Sequence, residues 1–189
     1  MPAAFIVDGL TEKKIVQRVC QGSTVRTTGL NGKNVALDAI AKVVHSFIRL
    51  FKDRHYPVIV VIDREGRVET SELIEAELTR LLVSMGVREC DIIVSCPDRM
   101  IENWMLGDVR YFDEIYDLKL VKPFEGLNGK TEIRRLLREK DIAYHETTVG
   151  VDIFTQADPT IVAANSASFA RLGARCIEFC HWVRRRQAQ

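Results

Sequence analysis

Residues 57–66 read P-V-I-V-V-I-D-R-E-G. The apolar, β-branched run at 58–62, entered through Pro57, predicts a strand buried on both faces, and it stops abruptly at two acids, Asp63 and Glu65. If the backbone stays extended through Arg64, residues two apart leave the same side, so both carboxylates face one point while Arg64 faces away. Two such charges about 4 Å apart repel by roughly 4 kcal/mol at an effective dielectric near 20. A bound divalent cation relieves that repulsion. Solvation of two loop acids that cap the following helix also relieves it, and the stretch by itself leaves both readings open.

The same pattern recurs at A-A-F-I-V (3–7), a short apolar run followed by Asp8 and Gly9. Thr11 is placed to cap a helix over 12–19, with Ile15, Val16 and Val19 inward and Glu12 in the first turn, where the helix dipole favours negative charge. Residues 21–28 suit a weak edge strand. The turn G-L-N-G-K (29–33) then opens a long helix to about 52, whose Ala36, Ile40, Val43, Val44, Phe47 and Phe51 fall at helical spacing. A further helix begins at Thr70 or Ser71, buries Leu73, Ile74, Leu78, Leu81, Leu82 and Met85, turns Glu72, Glu75 and Glu77 largely outward, and ends at Gly86. D-I-I-V-S (91–95) predicts another strand. Strands alternating with helices predict an α/β fold of βαβ units with a mainly parallel sheet, Rossmann-like, in which ligands sit outside the carboxyl ends of the strands. Asp8, Asp63 and Glu65 fall on that rim.

The second half is less regular. Residues 1–110 predict the α/β core, and 111–189 a mostly helical extension packed on the same domain. Pro97 and Asp98 lead into a helix containing I-E-N-W-M-L-G-D (101–108), where Trp104 reads as a core anchor. Residues 111–120 suit a short helix and turn, and G-L-N-G-K (126–130) repeats residues 29–33 letter for letter. Glycines and a lysine before a helix expose backbone N–H groups at the positive end of the dipole, which attracts phosphate, and a plain helix-start turn has the same spelling. Lys33 and Lys130 are the lysines concerned. The helix at 130–140 carries Lys130, Arg134 and Arg138 in a row four apart, with five basic residues against two acidic, a stripe suited to a phosphate backbone. A last helix from Ser166 to about 186 ends in Arg184, Arg185 and Arg186, which equally complement its dipole.

The formal net charge of +1 over 189 residues excludes a generally basic coat, so a polyanion must be met by a local patch. No apolar run approaches a membrane span, the apolar N-terminus is too short for a signal peptide, and the five cysteines lack a C-x-x-C pair and suit a reducing compartment. A cytoplasmic location is expected. Cys176, Cys180 and His181 lie close along the chain without an evident fourth ligand, so helix packing is their expected role. His45, His55, His145 and His181 show no zinc-hydrolase spacing, and no serine lies in a G-x-S-x-G elbow.

D-G-L-T-E-K (8–13), V-V-I-D-R-E (60–65), I-E-N-W-M-L-G-D (101–108), N-G-K-T-E (128–132) and S-A-S-F (166–169) together resemble a family of small bacterial Toprim-like proteins, similar to the nuclease domains of overcoming-lysogenization-defect proteins. The resemblance spans nearly the whole chain on short motifs. It implies the Toprim fold of topoisomerases, bacterial primases and certain nucleases, with magnesium or manganese held by an acid after the first strand and a D-x-D pair after a later one. Asp8 stands where the family usually has glutamate, Glu12 matches a second acid, and Asp63 and Glu65 match D-x-D with one substitution. Glu102 resembles the acid of the E-x-W segment, in a second shell around the metal, and Lys130 the lysine that neutralises the scissile phosphate. Val61 replaces a hydroxyl residue found in some relatives.

The expectation is a metal-dependent nuclease or related phosphodiester-cleaving enzyme acting on DNA or RNA, with Asp8, Glu12 and Lys130 catalytic, Asp8, Asp63, Glu65 and Glu102 around the metal, and Lys33, Lys130, Arg134 and Arg138 on the phosphates. Two rival readings stand beside it. One is a non-catalytic Toprim-like subunit of a phage-defence assembly with a partner such as an ATPase. The other is phosphoryl or nucleotidyl transfer on a small nucleotide held by the twin G-L-N-G-K turns.

Overall fold

The computed structural model describes residues 1–30, 35–120, 124–176 and 178. Strands β1 (Ala4–Val7), β2 (Thr24–Thr27), β3 (Val58–Val61) and β4 (Ile92–Ser95) form one sheet in the order β2-β1-β3-β4, parallel at every pairing. The fold is α/β and Rossmann-like, with helices on both faces. Strand alternation decides which side chain serves which face. Phe5, Val7, Ile59, Val61 and Ile93 point into one apolar cluster, and Ala4, Ile6, Val58, Val60, Ile62, Ile92 and Val94 into the other.

Helices α2 (Leu37–Phe51) and α3 (Ser71–Ser84) cover the second face with Ile40, Ala41, Val44, Leu78 and Leu82. The first face is covered by α1 (Leu10–Val19) and by helices of the second half. These are α4 (Ile101–Met105), α5 (Val109–Tyr116), α6 (Gly129–Arg138), α7 (Val151–Gln156), α8 (Pro159–Asn165) and α9 (Ala167–Cys176). Residues on either side of position 110 share this one cluster, Phe5 and Phe169 among them.

From β1 the chain runs through α1 to β2 on one side, and from β3 through α3 to β4 on the other, so the connections diverge between β1 and β3. That divergence opens a crevice at their carboxyl ends. The register pairs Val7 with Val61, which brings Asp8 and Asp63 to its floor.

Several boundaries differ from the sequence expectation. Gly9, not Thr11, is the N-cap of α1, and Thr11 lies buried within the helix. Helix α2 begins at Leu37 rather than directly after the first G-L-N-G-K; Lys33 and its neighbours at 31–34 lie outside the described residues. Glu75 is not turned outward: its carboxylate accepts hydrogen bonds from the Cys96 N–H (2.9 Å) and the Arg171 guanidinium (3.2 Å), tying α3 to β4 and α9. Cys20 is disulfide-bonded, against the expectation of reduced cysteines, whereas Cys90, Cys96 and Cys176 are free thiols. Residues 180, 181 and 184–186, including the terminal arginines, lie outside the described residues. Among the described residues no helix is long and apolar enough to cross a membrane.

Trp104 is the anchor the sequence suggests. It is 2 % exposed, stacks edge-on against Phe169 with ring centroids 5.3 Å apart, and donates its indole N–H to the Ser168 hydroxyl at 2.8 Å. Ser166 and Ser168 both donate to the Glu125 carboxylate, so the S-A-S-F segment latches the second G-L-N-G-K loop to the core. Trp104→Ala removes a buried ring and should cost about 3–5 kcal/mol in urea unfolding. Val68→Ala, at a side chain 92 % exposed, should stay within about 0.5 kcal/mol of the parent.

Candidate active site at the carboxyl edge of the sheet

Each acidic residue of the crevice is delivered by a different element. Asp8 follows β1 directly, and its Oδ2 accepts the backbone N–H of Asp63 at 2.9 Å, a hydrogen bond across 55 residues of chain that joins the ends of β1 and β3. Thr28, at the end of β2, donates its hydroxyl to Asp8 Oδ1 at 3.4 Å. Glu12 stands one turn into α1, where its Oε2 accepts the Gly9 N–H at 2.9 Å. Gly9 lacks a side chain to cap the helix, and a Cβ there would stand 3.0 Å from that Glu12 oxygen, so the carboxylate serves as the cap from inside. Glu102, on α4, enters from the second half of the chain, and its Oε1 accepts the Tyr144 hydroxyl at 3.1 Å.

Burial dominates the electrostatics. Glu12 is 7 % and Glu102 5 % exposed, a degree of burial rare for carboxylates without a cationic partner. Asp8 is pushed up from 3.8 to about 6, chiefly by burial, with the Asp63 N–H, Thr28 and Arg67 opposing and Glu65 adding. Glu12 is pushed up from 4.5 to about 7 by burial and then by the negative charges of Glu102 and Asp8. Asp63 rises well above 3.8 by burial and by repulsion from Glu12, Asp8, Glu102 and Glu65. Glu102 is likewise raised by burial, against the Tyr144 hydrogen bond and the Lys130 charge.

Glu65 reaches the crevice by another route than an extended strand end. Strand β3 stops at Val61, and Glu65 adopts a left-handed conformation (φ 58°) with its N–H donated to Arg99 O at 2.7 Å. Arg64 turns to an ion pair with Asp98 at 3.4 Å, so the loops after β3 and β4 are locked together. Glu65 nonetheless lines the cleft and adds its charge to Asp8 and Asp63.

The opposite wall is α6. Asn128 caps it by accepting the Thr131 N–H at 2.9 Å, and Lys130, Thr131 and Arg134 line the cleft; Arg138, one turn on, is exposed and outside the lining. The loop is placed by Asn103, whose amide donates to Phe124 O (2.6 Å) and Leu127 O (3.1 Å). Gly129 presses on α4 so closely that a Cβ would lie 2.7 Å from Asn103 N, which makes this glycine a packing requirement. The cleft between the two walls has a volume of about 650 Å³.

Sequence reasoning missed Arg67, Tyr144 and Glu146. Arg67 lines the cleft but spends its guanidinium on carbonyls, donating to Asp63 O (2.9 Å), Arg64 O (3.0 Å) and Val35 O (2.6 Å). Tyr144 and Glu146 belong to a stretch without periodicity or motif, and only the fold brings them to Glu102 and Lys130.

Among the described residues no three carboxylate, imidazole or thiol groups already stand as a metal-ligating set. The donors nevertheless fit a hard divalent cation. They are all carboxylate oxygens, they repel one another, and Asp63 Oδ1 is shielded from solvent with no hydrogen-bond partner among the described residues. Comparison with family models, curated proteins and solved structures returns no match to this chain. What the site can do therefore follows from its own geometry.

The pKa directions give a signed prediction for the metal-free protein. Folded values of about 6 for Asp8 and about 7 for Glu12 exceed the ordinary 3.8 and 4.5, so the native state binds more protons than the unfolded chain between pH 4 and 7. These groups contribute stability that is fully present near pH 4 and lost as pH rises through 6 and 7. For Asp8 alone the loss is about 3 kcal/mol. In EDTA the thermal midpoint should fall by several degrees from pH 5 to pH 8. Asp63→Asn should raise the midpoint at pH 8 and flatten the slope; an unaltered slope with no gain would contradict mutual repulsion at this site.

Proposed function

We propose that the protein is a metal-dependent nuclease or related phosphodiester-cleaving enzyme of Toprim type. The observation that carries this reading is the direct Asp8–Asp63 hydrogen bond at the divergence of β1 and β3, with buried Glu12 and Glu102 beside it and a basic helix across the cleft. Asp8, Glu12, Asp63 and Glu102 would hold magnesium or manganese, with Glu65 at the rim. Such an ion supplies Lewis acidity toward a phosphoryl oxygen and lowers the pKa of a bound water.

The chain's own groups account for the remaining work. Glu12 and Asp8, carboxylates at the floor of the cleft, are the groups placed to take a proton from an attacking water. Lys130 and Arg134 offer positive charge to the nonbridging oxygens of a phosphate on the opposite wall. The N-terminal turn of α6 lines the same cleft through Asn128, Lys130 and Thr131. DNA or RNA is the substrate this arrangement suits, met by a local patch on a molecule of near-neutral charge.

A second reading draws on the size of the cleft. At about 650 Å³ it falls in the range of small-molecule sites, which favours phosphoryl or nucleotidyl transfer on a small nucleotide.

Purified protein is to be incubated with single- and double-stranded DNA and RNA, and separately with mononucleotides, in magnesium or manganese. Polymer cleavage that stops in EDTA, falls at least roughly 100-fold in Asp63→Ala and falls roughly 10- to 100-fold in Lys130→Ala is the expected result. Turnover confined to mononucleotides would select the second reading. Equal cleavage by parent and Asp63→Ala would end the first.

A further inference from the structure

One carboxylate stands on the wrong wall of the cleft. Glu146 opens a single π-helical turn, Glu146–Gly150, and its Oε1 ion-pairs with Lys130 Nζ and lies 3.4 Å from Arg134 Nη2. Among the described residues its carboxylate meets only these two cations. We propose that Glu146 is a built-in stand-in for the substrate's phosphate, occupying the Lys130–Arg134 seat until a phosphate group displaces it, and so regulates access to the site. This deepens the phosphodiester reading and rests on it for the identity of the anion.

Three features set the arrangement apart from an ordinary surface ion pair. Two cations one helical turn apart converge on one oxygen of a single carboxylate, so the seat retains excess positive charge and a phosphate with several oxygens satisfies it better. Lys130, Arg134 and Glu146 all line the cleft that holds the buried acids, so displacement occurs inside the site.

The backbone that carries Glu146 is fixed independently of the pair. The Tyr144 hydroxyl is bonded to Glu102, the Lys14 ammonium donates to Thr147 O at 3.1 Å, and Gly150 packs so tightly that a Cβ would stand 2.6 Å from the Tyr144 hydroxyl. The Glu146 side chain can therefore swing away without unfolding its turn. Its exposure and that of Lys130, about one third each, make the pair weak enough to be exchanged.

An internal competitor that fills the seat about 90 % of the time weakens phosphate binding about tenfold. The test is isothermal titration of inorganic phosphate, and fluorescence anisotropy of a short labelled single-stranded oligodeoxynucleotide, both in EDTA at low salt, on the parent, Glu146→Gln and Lys130→Ala. Glu146→Gln should bind both probes about tenfold more tightly, and Lys130→Ala should lose most of the binding. Unchanged or weaker binding in Glu146→Gln, or no binding by any of the three, overturns the proposal. Because no metal is present, the outcome is separate from cleavage: tight binding by Glu146→Gln without metal-dependent cleavage would retire the nuclease reading alone. Cleavage with unaltered Glu146→Gln binding would retire the gate alone.

Discussion

The hydrogen bond from the Asp63 backbone N–H to the Asp8 carboxylate is the contact on which the site's geometry turns. It forms because β1 and β3 are adjacent, parallel and in a register that pairs Val7 with Val61, and because each strand becomes polar within two residues of that pair. The apolar alternation of both strands maintains that register, since a one-residue slip would exchange the two cores. The packing that stabilises the sheet thus also holds together acids that repel one another. Burial raises Asp8, Glu12, Asp63 and Glu102 above the ordinary carboxylate range, and neighbouring carboxylates add most to Glu12 and Asp63.

Much of this is legible in the sequence for a plain reason. A strand buried on both faces is a continuous apolar run, and the residue at which it stops marks the sheet edge, so V-I-V-V-I-D and A-F-I-V-D announce both strands and rim. Strand β4 and helices α3 and α6 are also marked by their apolar positions, although Leu73, expected inward on α3, is exposed. The conformation of Glu65 is not legible, because its left-handed backbone is set by the Arg99 carbonyl and the Arg64–Asp98 pair from a loop more than 30 residues away. Two identical G-L-N-G-K stretches show the same limit. The second runs straight into α6 because Asn103 and Gly129 dock it on α4, whereas helix α2 begins only at Leu37.

The E-N-W tripeptide divides its work by helical geometry. On the short helix α4, Glu102 faces the cleft, Asn103 grips the loop before α6, and Trp104 enters the core against Phe169. Successive residues on a helix point about 100° apart, so three neighbours reach three environments, a division that no amphipathic pattern reveals. The tripeptide therefore couples the acidic wall, the basic wall and the hydrophobic core at one place.

That coupling explains why the second half of the chain belongs to the site. The β-α-β half supplies Asp8, Glu12, Asp63 and Glu65, whereas Glu102, Tyr144, Lys130, Arg134 and Glu146 arrive on α4, α6 and the segment between α6 and α7. These later elements share the apolar cluster of α1, so the distance between acid and base is set by core packing rather than by a flexible joint. A cleft with acids fixed on one wall and cations on the other presents two unlike surfaces to one ligand, and that contrast is the ground for the phosphodiester reading proposed above. Within such a cleft Glu146, the acid at the start of its turn, joins that turn to α6 through Lys130 and Arg134 and offsets part of their charge.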